Sequence, residues 1–114
     1  MVPSCIFCKI ISREIPAEIV YDDETCVAFK DISPQAPVHL LVIPRQHFAS
    51  VKEIEGSDEK LLGHIHRVAS LLAQENDIGG GYRVVANDGP AAGQTVFHFH
   101  LHVLGGRQFH WPPG

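Results

Sequence analysis

The segment His98-Phe99-His100-Leu101-His102-Val103-Leu104 alternates imidazole with apolar side chains, and this period of two constrains the fold more than any other feature. In an extended strand successive side chains project to opposite faces. Three histidines then share one face, roughly 7 Å apart per step. Phe97, Phe99, Leu101 and Val103 share the other, which is free to bury. Such a strand needs a helix to cover its apolar face, and the chain supplies one. From Asp58 to about Asn76, Leu61, Leu62, Ile65, Val68, Ala69 and Leu72 recur at spacings of three and four. Ser57 or Asp58 is placed to cap its start, and Gly79-Gly80-Gly81 to end it.

The remaining elements follow the same logic. Ile6, Phe7, Ile10 and Ile11 fall at helical spacing within Ser4 to Ser12, ahead of Pro16. Ile19–Tyr21 and Thr25–Lys30 read as strands joined by a turn at Asp22-Asp23-Glu24, and Val38–Ile43 as a buried strand stopped by Pro44. Ser33–Pro37 is a proline-fixed loop, Tyr82–Ala86 a strand, Asn87–Gly93 a glycine-rich loop, Val96–Leu104 the last strand and Gly105–Gly114 an irregular tail. The expected class is α+β: a mostly antiparallel sheet with one long helix and a short N-terminal helix, in a single domain over residues 1–114.

Composition removes several function classes. The net charge of −4 disfavours a nucleic-acid binder, which needs dense Lys/Arg contacts to phosphates. No apolar run is long enough to span a bilayer, and Met1–Cys5 does not read as an export leader. Three cysteines cannot pair completely, so reduced thiols or a metal site are expected, in a cytoplasmic setting.

Eight histidines in 114 residues concentrate the functional question. The row at 98, 100 and 102 is compatible with a polar sheet face, a zinc hydrolase with histidine ligands, or a nucleophile. The preceding Asn87-Asp88-Gly89-Pro90-Ala91-Ala92-Gly93-Gln94-Thr95 bears on the choice. Small residues let backbone N–H groups approach an anion. Asn87, Gln94 and Thr95 add side-chain donors, which suits phosphoryl chemistry. A second constellation is Cys5-Ile6-Phe7-Cys8, whose thiols are neighbours on one helical turn. His47 and His98 could complete a tetrahedron with them; two half-buried thiols or a redox pair are the alternatives. Cys26 reads as core, His64 and His66 as solvated, and the acidic run at 22–24 as a plain turn.

His98–Leu104 resembles the signature of the histidine-triad (HIT) superfamily. Phe29–His39 and Val103–Gly114 are similar to its Hint branch, in its bacterial type with a Cys-x-x-Cys pair, and the likeness runs from about Cys5 to Gly114. The resemblance implies a homodimer whose sheets join, and hydrolysis of purine nucleoside 5′-phosphoramidates through a nucleotidyl-histidine. It makes His100 the nucleophile, with its other ring nitrogen held as N–H by a carbonyl. His39 and His98 would orient it and His102 would contact phosphate. Asn87, Gly93, Gln94, Thr95 and Val96 would surround the phosphate and leaving group, and Ile10, Phe29, Asp31 and Ile32 the nucleoside. Thr95 stands where relatives often carry serine. The resemblance also implies structural zinc on Cys5, Cys8, His47 and His98, with no cofactor required for the chemistry, and a tail that crosses the dimer interface. Rival readings are a dinucleoside-polyphosphate hydrolase or nucleotidyl transferase of the same superfamily, or a nucleotide- or zinc-binding interaction module.

Overall fold

The computed structural model describes residues 2–114; Met1, part of the N-terminal stretch not read as an export leader, lies outside them. Helix α1 (Ile6–Ile11) precedes strands β1 (Ile19–Asp22), β2 (Cys26–Lys30) and β3 (Val38–Pro44). Two short 3-10 turns lead into helix α2 (Glu59–Glu75), followed by β4 (Tyr82–Val85) and β5 (Leu101–Gly105). The strands form one five-stranded sheet in the order β1-β2-β3-β5-β4, with antiparallel pairing throughout. The expected α+β class is therefore what the chain adopts. Among the described residues no helix is long and apolar enough to cross a membrane.

Both faces of the sheet are covered, which explains why Leu40-Leu41-Val42-Ile43 is apolar without alternation. Leu40 and Val42 join Cys26, Ala28, Phe99, Leu101 and Val103 against Ile65, Val68 and Leu72 of α2. Leu41 and Ile43 join Val27 and Phe29 on the opposite face, against Phe7, Ile10 and Ile11 of α1. Helix α1 is too short to be stable alone, so its place on the sheet comes from this packing. Cys5 caps it, its Sγ accepting from the Cys8 amide at 3.4 Å.

The structure corrects the sequence reading in four places. The last strand starts at Leu101, not Val96, because β3 runs out of partners there. Val42 faces Leu101, and two residues further β3 offers Pro44, which has no amide to donate. The Phe99 amide instead donates to the Phe48 carbonyl at 2.6 Å. Phe99, Leu101 and Val103 still bury on the helix side, but Phe97, left outside the sheet, is 48% exposed. At the ends of α2, Asp58 takes the N-cap position without a side-chain capping bond. The residue with positive φ that follows the helix is Asp77 rather than a glycine.

The acidic run is more than a turn, and His64 is not simply solvated. Asp23 accepts from the Thr25 and Cys26 amides on one oxygen, and from the Tyr21 hydroxyl and His64 Nε2 on the other, at 2.6–2.8 Å. It thereby ties α2 to the β1–β2 hairpin. His66 is exposed, bonded only to the Leu62 carbonyl. Burial opposes ionisation of Asp23, but the Tyr21, Cys26, His64 and Thr25 bonds outweigh it and hold the carboxyl well below the usual range. A depressed carboxyl contributes stability above its unfolded pKa of about 4 and loses it as pH falls through the folded value. Asp23→Ala should therefore lower the unfolding free energy at pH 7 by about 2–3 kcal/mol. In urea titrations the gap between wild type and variant should narrow progressively below about pH 4.

Candidate active site

The site lies on the α1 face of the sheet, where β5, the loop before it, the end of β2 and strand β3 converge. His98, His100 and His39 are each fixed by a backbone group, and His102 by the His39 ring. His100 Nδ1 bonds the His98 carbonyl at 2.7 Å, so that nitrogen carries the proton and Nε2 keeps its lone pair. His98 Nε2 donates to the Pro44 carbonyl at 2.8 Å, leaving its Nδ1 bare. His39 Nδ1 accepts from the Gln35 amide at 3.0 Å, so its Nε2–H donates to His102 Nδ1 at 2.9 Å. His102 in turn presents its own Nε2–H. The hydrogen positions follow from the heavy-atom partners.

Burial keeps these rings neutral near pH 7. It pushes His98 down to about 4, with smaller repulsion from His47 and His100 against the bond to Pro44. It does the same for His102, to about 4, aided by His100 and His39. Burial also lowers His100 and His39, opposed by Asp31 in both cases and by the His98 carbonyl at His100. The 3.4 Å approach of Asp31 to His39 is thus a carboxylate beside a neutral ring rather than an ion pair. A neutral imidazole with one nitrogen already bonded is a nucleophile at the other.

A cavity of about 300 Å³ opens over His100 and His102. Of the residues expected around a nucleotide, Ile10, Phe29, Asp31, Ile32, Thr95 and Val96 line it. Asn87, Gly93 and Gln94 do not. Ile32 is 98% exposed, at the rim. Asn87 is half-buried just after β4. The loop around Gly93 turns on Gly89 (φ 93°) and Gly93 (φ 94°), conformations that L side chains rarely adopt. Gln94 was expected to offer its amide to an anion. Instead it is buried, its oxygen accepting from Gly89 N and its nitrogen donating to the Ala49 and Val96 carbonyls. It braces the loop. His39 likewise reaches His102 rather than His100 directly. The sequence reading missed Phe7, which packs edge-on against His100 with centroids 5.1 Å apart. It also missed Pro44 and Phe48, which act through backbone carbonyls that no side-chain pattern announces.

The second constellation converges. The ligand atoms of Cys5, Cys8, His47 and His98 lie within 4.8 Å of one another. His98 Nδ1 is 3.4 Å from Cys5 Sγ, 3.6 Å from Cys8 Sγ and 3.1 Å from His47 Nδ1; Cys8 Sγ to His47 Nδ1 is 3.5 Å. A tetrahedral zinc with usual bond lengths would separate sulfur from nitrogen by about 3.5 Å and nitrogen from nitrogen by about 3.3 Å. The set fits a closed S₂N₂ site, and the bare Nδ1 of His98 is the lone pair such an ion requires. The triad itself does not converge on a metal: among the described residues no ligand cluster unites His98, His100 and His102. The clusters outside the cysteine corner, Asp31/His39/His102 and Asp23/Cys26/His64, each hold fewer than three histidines.

Comparison with known proteins agrees with this geometry. The family model described as scavenger mRNA decapping enzyme C-term binding matches residues 4–110. An uncharacterised HIT-like protein of Synechococcus elongatus is 54% identical over 109 residues, covering 96% of each chain. The crystal structure of a HIT family hydrolase from Legionella pneumophila superposes with a TM-score of 0.95 at 49% identity, over 97% of this chain and all of that one. A histidine triad nucleotide-binding protein from Candida albicans superposes with a TM-score of 0.83 at 34% identity, over 96% of this chain and 83% of that one. With a matching family model over nearly its whole length and the ordered histidine row at its centre, the chain belongs to the histidine-triad superfamily.

Proposed function

We propose that this protein is a nucleotide-binding hydrolase of the Hint branch that cleaves purine nucleoside 5′-phosphoramidates through a nucleotidyl-His100 intermediate. The observation that carries the reading is the 2.7 Å bond from His100 Nδ1–H to the His98 carbonyl, beneath a largely apolar cavity. It leaves Nε2 as a neutral nucleophile. Supporting it, one neighbour is called a HIT family hydrolase and another a nucleotide-binding histidine triad protein. Hint-like segments at Phe29–His39 and Val103–Gly114 favour that branch, and the purine preference comes from the same likeness.

In this mechanism His100 Nε2 attacks the α-phosphorus, the P–N bond to the amine breaks, and the amine leaves with one added proton. Thr95 or His102 is positioned to assist that transfer. The Nε2–H of His102, set by His39, donates to a phosphoryl oxygen as charge builds there. Water then adds its oxygen to phosphorus, the P–Nε2 bond breaks with its electron pair returning to His100, and the nucleoside monophosphate departs. The sum is one water consumed, one amine and one monophosphate formed.

A single HIT domain spans residues 1–114 in this reading. Two chains pair as a homodimer through the outer edge of β4, the terminal strand of the sheet, and the tail bearing the 83% exposed Trp111 reaches across that interface. Cys5, Cys8, His47 and His98 would hold one zinc per chain. There it would neutralise two thiolates and clamp α1 to the sheet, and the hydrolytic steps do not run through it.

Two experiments test these statements. Wild-type protein should hydrolyse an aryl or arylalkyl amide of AMP well and a diadenosine polyphosphate poorly, and His100→Ala should lose on the order of 10⁴-fold in kcat. Efficient cleavage of the polyphosphate alone would select the rival hydrolase or transferase. AMP binding and full biological activity in His100→Ala would select an interaction module. Separately, elemental analysis should find about one zinc per chain. Cys8→Ser should lose the metal and melt several degrees lower, yet retain turnover within about tenfold at a temperature where it is folded. Abolished turnover in folded, metal-free protein would contradict the structural role.

A further inference from the structure

A second cavity, of about 440 Å³, flanks the first and remains unaccounted for by the nucleoside site. Ile6, Thr95 and Val96 line both. The two cavities therefore open on either side of one ridge, whose exposed hydroxyl is Thr95. His100 and His102 line only the first cavity. The second has apolar walls in Val2, Ala49, Val96 and Phe97, with Ser4 at its edge and Cys5 and His47 of the cysteine corner completing the lining. Phe97 and Ile6 are 48% and 49% exposed, large apolar side chains left uncovered beside one another. No carboxylate lines this cavity.

We infer that this cavity is the leaving-group subsite and takes an apolar substituent, aliphatic or aromatic, on the departing amine. The inference rests on the phosphoramidase reading above. Displacement at phosphorus is roughly in line, so the leaving atom departs on the side away from the nucleophile. With the nucleoside held in the cavity that contains His100, and phosphorus beside the Thr95 ridge, the opposite side of that ridge is where the amine's substituent goes. Burying a phenyl or alkyl group against Val2, Val96 and Phe97 favours binding. A substituent ending in an ammonium finds no carboxylate there and loses hydration without compensation. The departure from the solvent-shielded core also explains Phe97 functionally: the residue expelled from the sheet becomes the wall of the subsite.

The test uses three AMP amides, made from ammonia, 2-phenylethylamine and 1,4-diaminobutane. For wild type, kcat/KM for the phenylethyl amide should exceed that for each of the others by at least about tenfold. Phe97→Ala, which strips the wall, and Ser4→Phe, which fills the space, should each bring the phenylethyl-to-unsubstituted ratio close to one. Thermal melts of both variants report folding independently of the ratio. Equal rates for the three amides in wild type, or a ratio kept in both folded variants, would overturn the subsite while leaving the phosphoramidase reading intact. Failure to cleave any of the three would remove that reading, and the subsite with it.

Discussion

Residue 98 ties the histidine row to the cysteine corner and to the end of β3. Its carbonyl takes the Nδ1 proton of His100, and its ring spans from the Pro44 carbonyl to the cysteine corner. A shift of this residue would disturb the tautomer of the nucleophile, the end of β3 and the anchor of α1 together. It is wholly buried, with its Nε2 committed to the Pro44 carbonyl and its own carbonyl to His100. The choice of histidine follows: only this side chain offers one nitrogen to a carbonyl and the other to a soft-ligand cluster while its backbone serves a neighbour.

The loop before β5 is held by the same economy of backbone bonds. Gln94 spends its whole amide on Gly89, Ala49 and Val96, and the Phe99 amide reaches Phe48. Residues 94–100 thus leave the sheet without leaving its grip. This lets Thr95 stand as an exposed ridge, with His100 buried a few residues on. Rigid support beneath an exposed hydroxyl suits the positioning role proposed for this loop.

Much of this was legible in the chain because period and composition carry it. The alternation of 98–104 correctly assigned Phe99, Leu101 and Val103 to the core and the histidines to the opposite face. The spacing of Ile65, Val68 and Leu72 gave the covering helix its buried stripe, and the Cys5/Cys8 pair met His47 and His98 as the spacing allowed. The misses have one physical origin. Phe97 was placed in a strand because pattern says nothing of where a partner strand ends, and Pro44 ends it. Gln94 and Asp23 were read by side-chain type, as an anion donor and a turn residue. Both are bonding hubs whose partners are backbone amides or distant residues such as His64, visible only once the chain is folded.

The central claim is that His100 is a neutral imidazole protonated on Nδ1, with Nε2 bare toward the cavity. Long-range ¹H–¹⁵N correlation spectra of histidine-labelled protein, assigned by substituting each triad residue in turn, read this directly. At neutral pH the account predicts the Nδ1–H form for residue 100 and the Nε2–H form for residues 98 and 102. An Nε2–H tautomer or a doubly protonated ring at residue 100 would contradict it, because the attacking nitrogen would then have no lone pair to give.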